Sequence, residues 1–383
     1  MRVLHTSDWH LGRTFHREDM LGAQARFVDH LVETVRAEEV DLVVVAGDVY
    51  DRALPPVDAI ALYDEAMKRL LGTGTKLALI SGNHDSAVRL GVNQGVLDAA
   101  GLFVRTDPAR VGEPVLLEDA HGPVAVYGIP YLEPELVREP WELDERSHTA
   151  ALGHAMDRIR TDQARRRPGT RSVVLSHAFV SGAECSDSER DIAVGGVPHV
   201  PLSTFDGPDY VALGHVHGRQ TMAEAVRYSG SPLAYSFSET DHRKGGWLVE
   251  LGPDGLKSAD FLDAPVPRRL GKLRGRLDDL LTDPRHARHE DRWLQVTLTD
   301  PLRPRDAMER LRTRFPHALV LGFEPEGGGD TDRRSWAERT KGRSESELAL
   351  DFVAWARDEP ADPAERALLH EAFEAVRRRE ASA

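Results

Sequence analysis

Five short segments place oxygen and nitrogen donors at intervals along the chain: Asp8-Trp9-His10, Gly47-Asp48, Gly82-Asn83-His84-Asp85, Ser176-His177 and Gly214-His215-Val216-His217. Carboxylate, amide and imidazole donors without a thiolate suit hard or borderline divalent cations, and a set of this kind can position such cations on a phosphate. Asp8 and His10 stand two apart at a strand end, so both can turn toward one cation. Asp48 follows a glycine that lets the backbone turn sharply, and a carboxylate there can bridge two ions. Asn83 offers a neutral carbonyl oxygen, and His177, His215 and His217 offer imidazole nitrogens. Seven donors from five loops suit two metals about 3.5–4 Å apart with positions left open for water and phosphate. His84 adjoins one of the donors and can face the substrate instead, with Asp85 accepting its other N–H. Taken singly each segment has a plainer reading: Gly-Asp is usually a turn, and a lone His after a strand is usually a satisfied buried one. Five in order, each after an apolar run, point to a metal centre.

The elements that must hold these segments are legible nearby. Arg2 to Thr6, Leu42 to Ala46, Lys76 to Ile80, Val124 to Ile129, Ser172 to Ser176 and Tyr210 to Leu213 read as buried strands. Gln24 to Ala37 has helical spacing with Phe27, Leu31 and Val35 on one face, and Ala59 to Leu71 reads as a second helix. Apolar strands separated by helices imply a sheet covered on both faces, with ligand sites where loops leave the carboxyl ends of the strands. The composition changes near Asp263-Ala264-Pro265-Val266-Pro267. Residues 1–265 are therefore expected to form one domain and 266–326 a small α/β second domain with a strand at Arg292–Thr299, a helix at Asp306–Phe315 and a strand at Ala318–Phe323. Residues 327–346 read as a polar linker. Residues 347–383 read as two amphipathic helices, Leu348–Trp355 and Ala364–Arg379, punctuated by Pro360 and Pro363.

The 383 residues leave room for a large core, and the single Cys185 excludes an intramolecular disulfide framework and fits a reducing cytoplasm. The opening residues run straight into a strand, so no signal peptide is expected, and no apolar run approaches the roughly 20 residues of a membrane span. The formal net charge of -14 argues against a generally nucleic-acid-binding surface, although binding follows local patches and bound cations would offset part of the charge.

The set resembles the calcineurin-like metallophosphoesterase superfamily. More closely, His5-Thr6-Ser7-Asp8-Trp9-His10-Leu11-Gly12, Ala46-Gly47-Asp48-Val49-Tyr50-Asp51, Ser81-Gly82-Asn83-His84-Asp85-Ser86 and Gly230-Ser231-Pro232-Leu233 resemble the SbcD family of bacterial nucleases. Protein serine/threonine phosphatases usually carry Gly-Asn-His-Glu where this chain has Asp85, which counts against that branch. The resemblance implies a four-layer αββα sandwich (an α/β fold), a small α/β capping domain and a C-terminal helical segment. It implies that Asp8, His10 and His217 hold one metal, that Asn83, His177 and His215 hold a second, that Asp48 bridges them, and that His84 is the catalytic histidine. It further implies Mn²⁺ as the preferred ion, a homodimer, and a heterotetramer with two copies of the ATPase SbcC. The implied activity is metal-dependent cleavage of DNA phosphodiesters at ends and hairpins in repair, recombination and replication. Single strands would be cut endonucleolytically without ATP, and double strands exonucleolytically with SbcC and ATP. The implied location is the cytoplasm, at the nucleoid. This chain has no Walker-type nucleotide loop, so ATP would be used by the partner.

Further residues have plainer roles to set beside a functional one. Cys185 near His177 or His199 suggests a thiol nucleophile, but nothing positions a general base or an oxyanion hole for one. The basic stretch Arg268, Arg269, Lys272, Arg274, Arg276 suits phosphate contact, whereas Arg165-Arg166-Arg167 reads better as a solvated face. Arg13, His16 and Arg17 lie where a loop could meet substrate. Leu348, Phe352, Trp355, Leu368, Leu369, Phe373 and Val376 form apolar stripes that suit a partner's helix or coiled coil. Two rival readings are a phosphoesterase for small or protein substrates and a silent scaffold; the extra domain argues against the first and the complete donor set against the second.

Overall fold

The structure is a computed structural model and describes residues 1–189, 199–326, 345–357 and 359–380. Its contacts divide into a large unit (residues 1–274, 278–297 and 306–322) and a small one (275–277, 298–305 and 323–383). The expected linker falls largely outside the described residues, as do the side chains of Trp355 and Val376.

In the large unit the chain opens with strand β1 (Arg2–Thr6), a short hairpin of β2 (Thr14–Phe15) and β3 (Glu18–Asp19), and helix α1 (Leu21–Ala37). Strand β4 (Leu42–Ala46), helix α2 (Val57–Leu71) and strand β5 (Lys76–Ile80) follow. Helices α3 (Ala87–Leu90) and α4 (Gln94–Ala100) then lead to β6 (Leu102–Arg105). Strands β7 (Val115–Asp119) and β8 (Gly122–Ile129) form a hairpin, and helices α5 (Pro134–Arg138) and α6 (His148–Gln163) precede β9 (Arg171–His177). The body is completed by β10 (Tyr210–Gly214), β11 (Gln220–Ala223), β12 (Val226–Tyr228), β13 (Gly245–Gly252) and β14 (Gly255–Asp263).

These strands make two six-stranded sheets, ordered β14-β13-β1-β4-β5-β6 and β11-β12-β10-β9-β8-β7. The alternation of side chains along each strand explains the layering. Leu4, Val43, Val45, Leu77 and Leu79 face one way and pack with Phe27, Leu31 and Val35 of α1 and Leu62 and Leu70 of α2. Their neighbours Val3, Leu42, Val44, Ala78 and Ile80 face the other way and pack against Val124, Val126, Val173, Leu175 and Ala212 of the second sheet. That sheet's outer face, with Ala125, Tyr127, Val174 and Leu213, packs on Leu152, Met156 and Ile159 of α6. The result is the expected four-layer αββα sandwich. The wholly apolar strands are covered twice, as their composition requires, but one cover is a second sheet rather than helices. Each Val or Leu buried this way contributes about 1.5–3 kcal/mol relative to exposure.

Element boundaries follow the sequence reading within a few residues. Helix α1 begins three residues earlier than the apolar spacing indicates, at Leu21, whose N–H is taken up by Asp19 Oδ1 at 2.9 Å. Beyond residue 265 come β15 (Leu270–Gly275), α7 (Leu277–Thr282), β16 (Trp293–Leu298), α8 (Ala307–Arg314) and β17 (Ala318–Phe323), with a three-stranded sheet β15-β16-β17. Leu270, Trp293, Leu319 and Val320 share an apolar cluster with Phe15, Met20, Tyr235 and Phe237 of the body.

The small unit carries two helices, α9 (Glu345–Arg357) and α10 (Pro363–Glu380). The second starts with a capping box: Asp362 accepts from the Glu365 N–H at 2.8 Å while Glu365 accepts from the Asp362 N–H at 3.0 Å. Pro363 occupies the first turn, where its missing N–H costs nothing. Phe352 and Leu368 are exposed.

Candidate metal centre

All eight residues expected at the site converge at the carboxyl ends of β1, β4, β5, β9 and β10. Strands β1, β4 and β5 run parallel in one sheet, and β9 and β10 run parallel in the other, so their outgoing loops share one end of the sandwich. Backbone hydrogen bonds continue past the strands and tie the first two loops together: Asp8 N–H to Gly47 O at 3.0 Å, His10 N–H to Asp48 O at 3.0 Å and Leu11 N–H to Val49 O at 2.9 Å. Trp9 is fully buried between them, donating to Thr6 Oγ1 at 3.1 Å and packing edge-on against Phe27. Its place in the motif is structural.

The loops hold strained backbone at the donors. Asp8 (φ 53°), His10 (φ 46°), Asp48 (φ 51°) and His215 (φ 101°) all lie at positive φ. Such residues cost on the order of 1–3 kcal/mol each and persist where the surroundings over-determine them, often at functional sites. Gly47 is required twice over: its φ is +90°, and a Cβ there would meet His177 Nδ1 at 2.4 Å. A Cβ on Gly82 would meet Asp48 Oδ1 at 2.1 Å.

The donor geometry centres on Asp48. Its Oδ2 lies 3.6 Å from His10 Nε2 and 3.6 Å from His177 Nε2, midway between two groups of donors. On one side, Asp8, His10 and His217 bring ligand atoms within 4.8 Å of one another. On the other, Asn83 Oδ1 lies 2.9 Å from His177 Nε2 and 3.3 Å from His215 Nδ1. Asp8 stands close to both, since it also groups with Asp48 and His177. Its carboxylate accepts from the His215 N–H at 3.0 Å and from Ser7 Oγ at 2.5 Å.

Whether these residues fit cations can be decided from their protons. His177 Nδ1 donates to the Ala46 carbonyl at 2.9 Å, so a neutral ring presents a bare Nε2 lone pair to the Asn83 oxygen. His10 Nε2 and His217 Nε2 face each other at 3.0 Å. Burial first, and then neighbouring imidazoles, hold His10 and His215 well below the ordinary histidine pKa, and burial likewise lowers His177. Neutral imidazoles are the ligating form. Burial and the charge of Asp48 push the Asp8 carboxyl up, the opposite of a carboxylate with a basic partner. The bare His177 Nε2 facing the Asn83 oxygen, beside two buried carboxylates, suits positive charge between them. At bond lengths of ~2.1 Å, two donors at right angles around one ion stand about 3.0 Å apart.

His84 sits at the rim of this set. Its Nδ1 donates to the Asp51 carbonyl at 2.7 Å, its Nε2 lies 3.9 Å from Asp48 Oδ2, and its backbone N–H donates to Asp48 Oδ1 at 2.9 Å. His10, Asp48 and His84 can also be grouped around one ion by distance. The expected orientation of His84 by Asp85 does not occur. Asp85 instead accepts three backbone N–H groups, from Tyr50 at 2.9 Å, Gly82 at 2.9 Å and Val49 at 3.1 Å, pinning the Asp48 loop to the Asn83 loop. Burial and Asp48 raise its carboxyl to about 7 against those bonds. A carboxylate following two donors in sequence can brace backbone as readily as a side chain, and sequence does not separate the two.

Three residues with no local sequence signal support the centre: Ser188, Glu239 and Lys244, all buried behind His217. Of the loop residues, Arg13 borders the site. Its guanidinium lies over the Tyr235 ring at 5.0 Å and near Asp51 at 3.7 Å, and its buried Nη1 has no hydrogen-bond partner among the described residues. His16 packs its ring on Phe15 and Phe237 instead. Arg166 is held by Asp162 through two bonds of 2.7 Å, as a solvated face would be. Burial, with Glu189 nearby, pushes the Cys185 thiol up to about 12, the wrong direction for a nucleophile. In the basic stretch, Arg268 pairs with Asp291, and Arg276 pairs with Glu326 at 2.7 Å. Among the described residues, no helix is long and apolar enough to cross a membrane.

A family model described as calcineurin-like phosphoesterase matches residues 1–219. A second, described as type 5 capsule protein repressor C-terminal domain and labelled SbcD_C, matches residues 266–355. Among solved structures, the protein TT1561 of Thermus thermophilus is 14% identical with a TM-score of 0.39, over 68% of this chain and 98% of that one. A dimetal phosphatase from Danio rerio is 14% identical with a TM-score of 0.41, over 69% of this chain and 99% of that one. GAP50, the anchor in the inner membrane complex of Plasmodium, is 11% identical with a TM-score of 0.42, over 86% of this chain and 98% of that one. Likenesses this distant carry no argument about substrate.

Proposed function

The chain belongs to the calcineurin-like phosphoesterase family, and from that premise we propose that it is the DNA nuclease subunit of an SbcCD-like complex. The observation that carries the reading is the position of Asp48 Oδ2, 3.6 Å from a histidine of each donor group. Asp8, His10 and His217 would hold one ion, Asn83, His177 and His215 the other, and Asp48 would bridge them. Two divalent cations held there, Mn²⁺ in this reading, would supply positive charge that offsets a phosphodiester's own and lowers the pKa of water.

The protein's own groups then have separate tasks. The strained loops hold the donors before substrate arrives, so little reorganisation accompanies the reaction. With its Nδ1 proton committed to Asp51, His84 points Nε2 out at the rim, where the imidazolium form would pass its Nε2 proton to the leaving oxygen or stabilise its charge. Arg13, whose buried Nη1 has no partner among the described residues, suits a phosphate oxygen. Arg269 and Lys272 extend that positive character on the segment after residue 265, the proposed capping domain of residues 266–326.

The match of residues 266–355 to the SbcD_C model supports the choice of DNA over a small substrate and supports an SbcC-type ATPase as partner. The exposed Phe352 and Leu368 on α9 and α10 suit docking of that ATPase's coiled coil. A dimer carrying two ATPase chains, with ATP-independent cutting of single strands and ATP-dependent resection of duplex ends and hairpins, completes the proposal, at the cytoplasmic nucleoid. The test is Mn²⁺-dependent cleavage of end-labelled DNA by the purified chain, with and without the ATPase and ATP. Cleavage by the wild type and its loss in His84→Ala are expected. Hydrolysis of phosphomonoesters with no cut DNA under any of these conditions would sink the nuclease reading.

A further inference from the structure

The histidines of the centre are oriented in two different ways. His177 and His84 donate their outer nitrogens to backbone carbonyls, those of Ala46 and Asp51. His217 faces a chain of side chains. Its Nδ1 lies 2.6 Å from Ser188 Oγ, and Ser188 Oγ lies 2.5 Å from Glu239 Oε1. Since Ser188 gives its single proton to the Glu239 carboxylate, its oxygen accepts from His217, which places that ring's proton on Nδ1. Glu239 is 1% exposed, and Lys244, 5% exposed, holds its other oxygen. Lys244 also donates to the His217 carbonyl at 2.9 Å and to Ser231 Oγ at 2.9 Å, so all three of its N–H groups are used. The Glu239–Lys244 pair therefore grips His217 at both its ring and its backbone.

We propose that Ser188, Glu239 and Lys244 form a positioning relay that fixes the tautomer and orientation of His217 and so sets the affinity of one of the two cation positions. This deepens the proposed function and rests on the two-cation reading of the site. Their side chains reach the cation positions only through His217; the Ser188 carbonyl separately accepts from Arg13 Nη2 at 2.9 Å, a main-chain bond that Ser188→Ala leaves in place. A carboxylate behind a ligating histidine raises its basicity and holds its ring, and removing such support typically costs roughly 10–100-fold in metal affinity. Interposing a hydroxyl lets a carboxylate 3.6 Å from the ring nitrogen serve that role without reaching it directly. Burying an ion pair merely for stability would be a poor use of Lys and Glu, since desolvation consumes most of the attraction. Gripping a ligand gives the pair a reason to be there.

The experiment is titration of the metal-free protein with Mn²⁺ alone, read by calorimetry and by electron paramagnetic resonance, for the wild type, Ser188→Ala and Ser188→Thr. Ser188→Ala leaves the buried ion pair intact and so avoids the misfolding that Glu239→Gln or Lys244→Met invites. The relay requires that Ser188→Ala weaken one Mn²⁺ roughly 10–100-fold while the other keeps its affinity. At equal Mn²⁺ the exchange-coupled signal of a bridged pair then gives way to that of an isolated ion, and Ser188→Thr restores the pair. Two unchanged affinities in Ser188→Ala, or an equal loss at both positions, overturns the relay; a lower melting temperature with unchanged titration does the same. DNA cleavage is measured separately. A wild type that binds two Mn²⁺ but cuts no DNA removes the nuclease reading and leaves the relay standing.

Discussion

The two halves of the centre are built to different rules. The half around His177 is held by main chain: a carbonyl of β4 accepts from the ring, and Gly47 and Gly82 let backbone approach where any side chain would collide. The half around His217 is held by side chains drawn from residues 188 to 244. Main-chain support is rigid because moving it means moving a central strand. Side-chain support costs rotamer entropy but can be changed one residue at a time. The first half should therefore fail through backbone strain and the second through loss of a hydrogen bond.

The largest effect belongs to the residue the halves share. Asp48→Ala should remove measurable affinity at both positions and lower DNA cleavage by roughly 10⁴-fold or more, as for a member of a catalytic unit; calorimetry that still finds two tight ions would break the symmetry argued from its equal 3.6 Å distances. Next comes His84→Ala, expected to keep both ions and lower turnover by roughly 10²–10⁴-fold. Loss of an ion in that variant would move His84 among the donors. Gly47→Ala tests the main-chain half. Left-handed φ costs an alanine on the order of 1–2 kcal/mol, and its Cβ would displace His177, so Mn²⁺ should weaken at the His177 side and stay tight at the His217 side.

The last effect, absent at neutral pH, concerns the joint between the two sheets. His5, on β1, accepts from the Tyr210 hydroxyl at 2.9 Å and donates to the Leu213 carbonyl at 3.1 Å, both on β10 of the other sheet. Burial lowers its pKa to about 3 from an ordinary value of 6.5. The unfolded chain therefore binds a proton that the folded chain refuses between those values, and folding stability falls as pH drops from about 6.5 toward 3. The slope for one proton reaches about 1.4 kcal/mol per pH unit. Denaturant melts of the metal-free protein should show a shallower acid slope in His5→Gln; an identical slope would remove His5 from the joint.

Much of this was legible in order along the chain. Apolar runs at Leu42–Ala46 and Lys76–Ile80 mark their strands because burial on both faces leaves no room for alternation. The hairpin of β13 and β14 is harder to read, since Gly245-Gly246 and the mixed stretch from Gly255 to Asp263 carry no run of that kind. Asp85 was legible as part of the motif but not in its role, because an aspartate's bond to a side chain and its bonds to three backbone N–H groups look the same in one dimension.

The amino acids themselves determined which donors exist, which strands carry them, and that the set is one for hard cations. Donor chemistry and strand burial are local properties, readable residue by residue. Only the folded chain decided that a second sheet covers the first, that His177 and His217 present Nε2 while His215 turns Nδ1 toward Asn83, and that Glu239 and Lys244 stand behind His217. Those are choices of hydrogen-bond partner between segments far apart in the chain, and such partnerships leave no periodicity in the sequence to find.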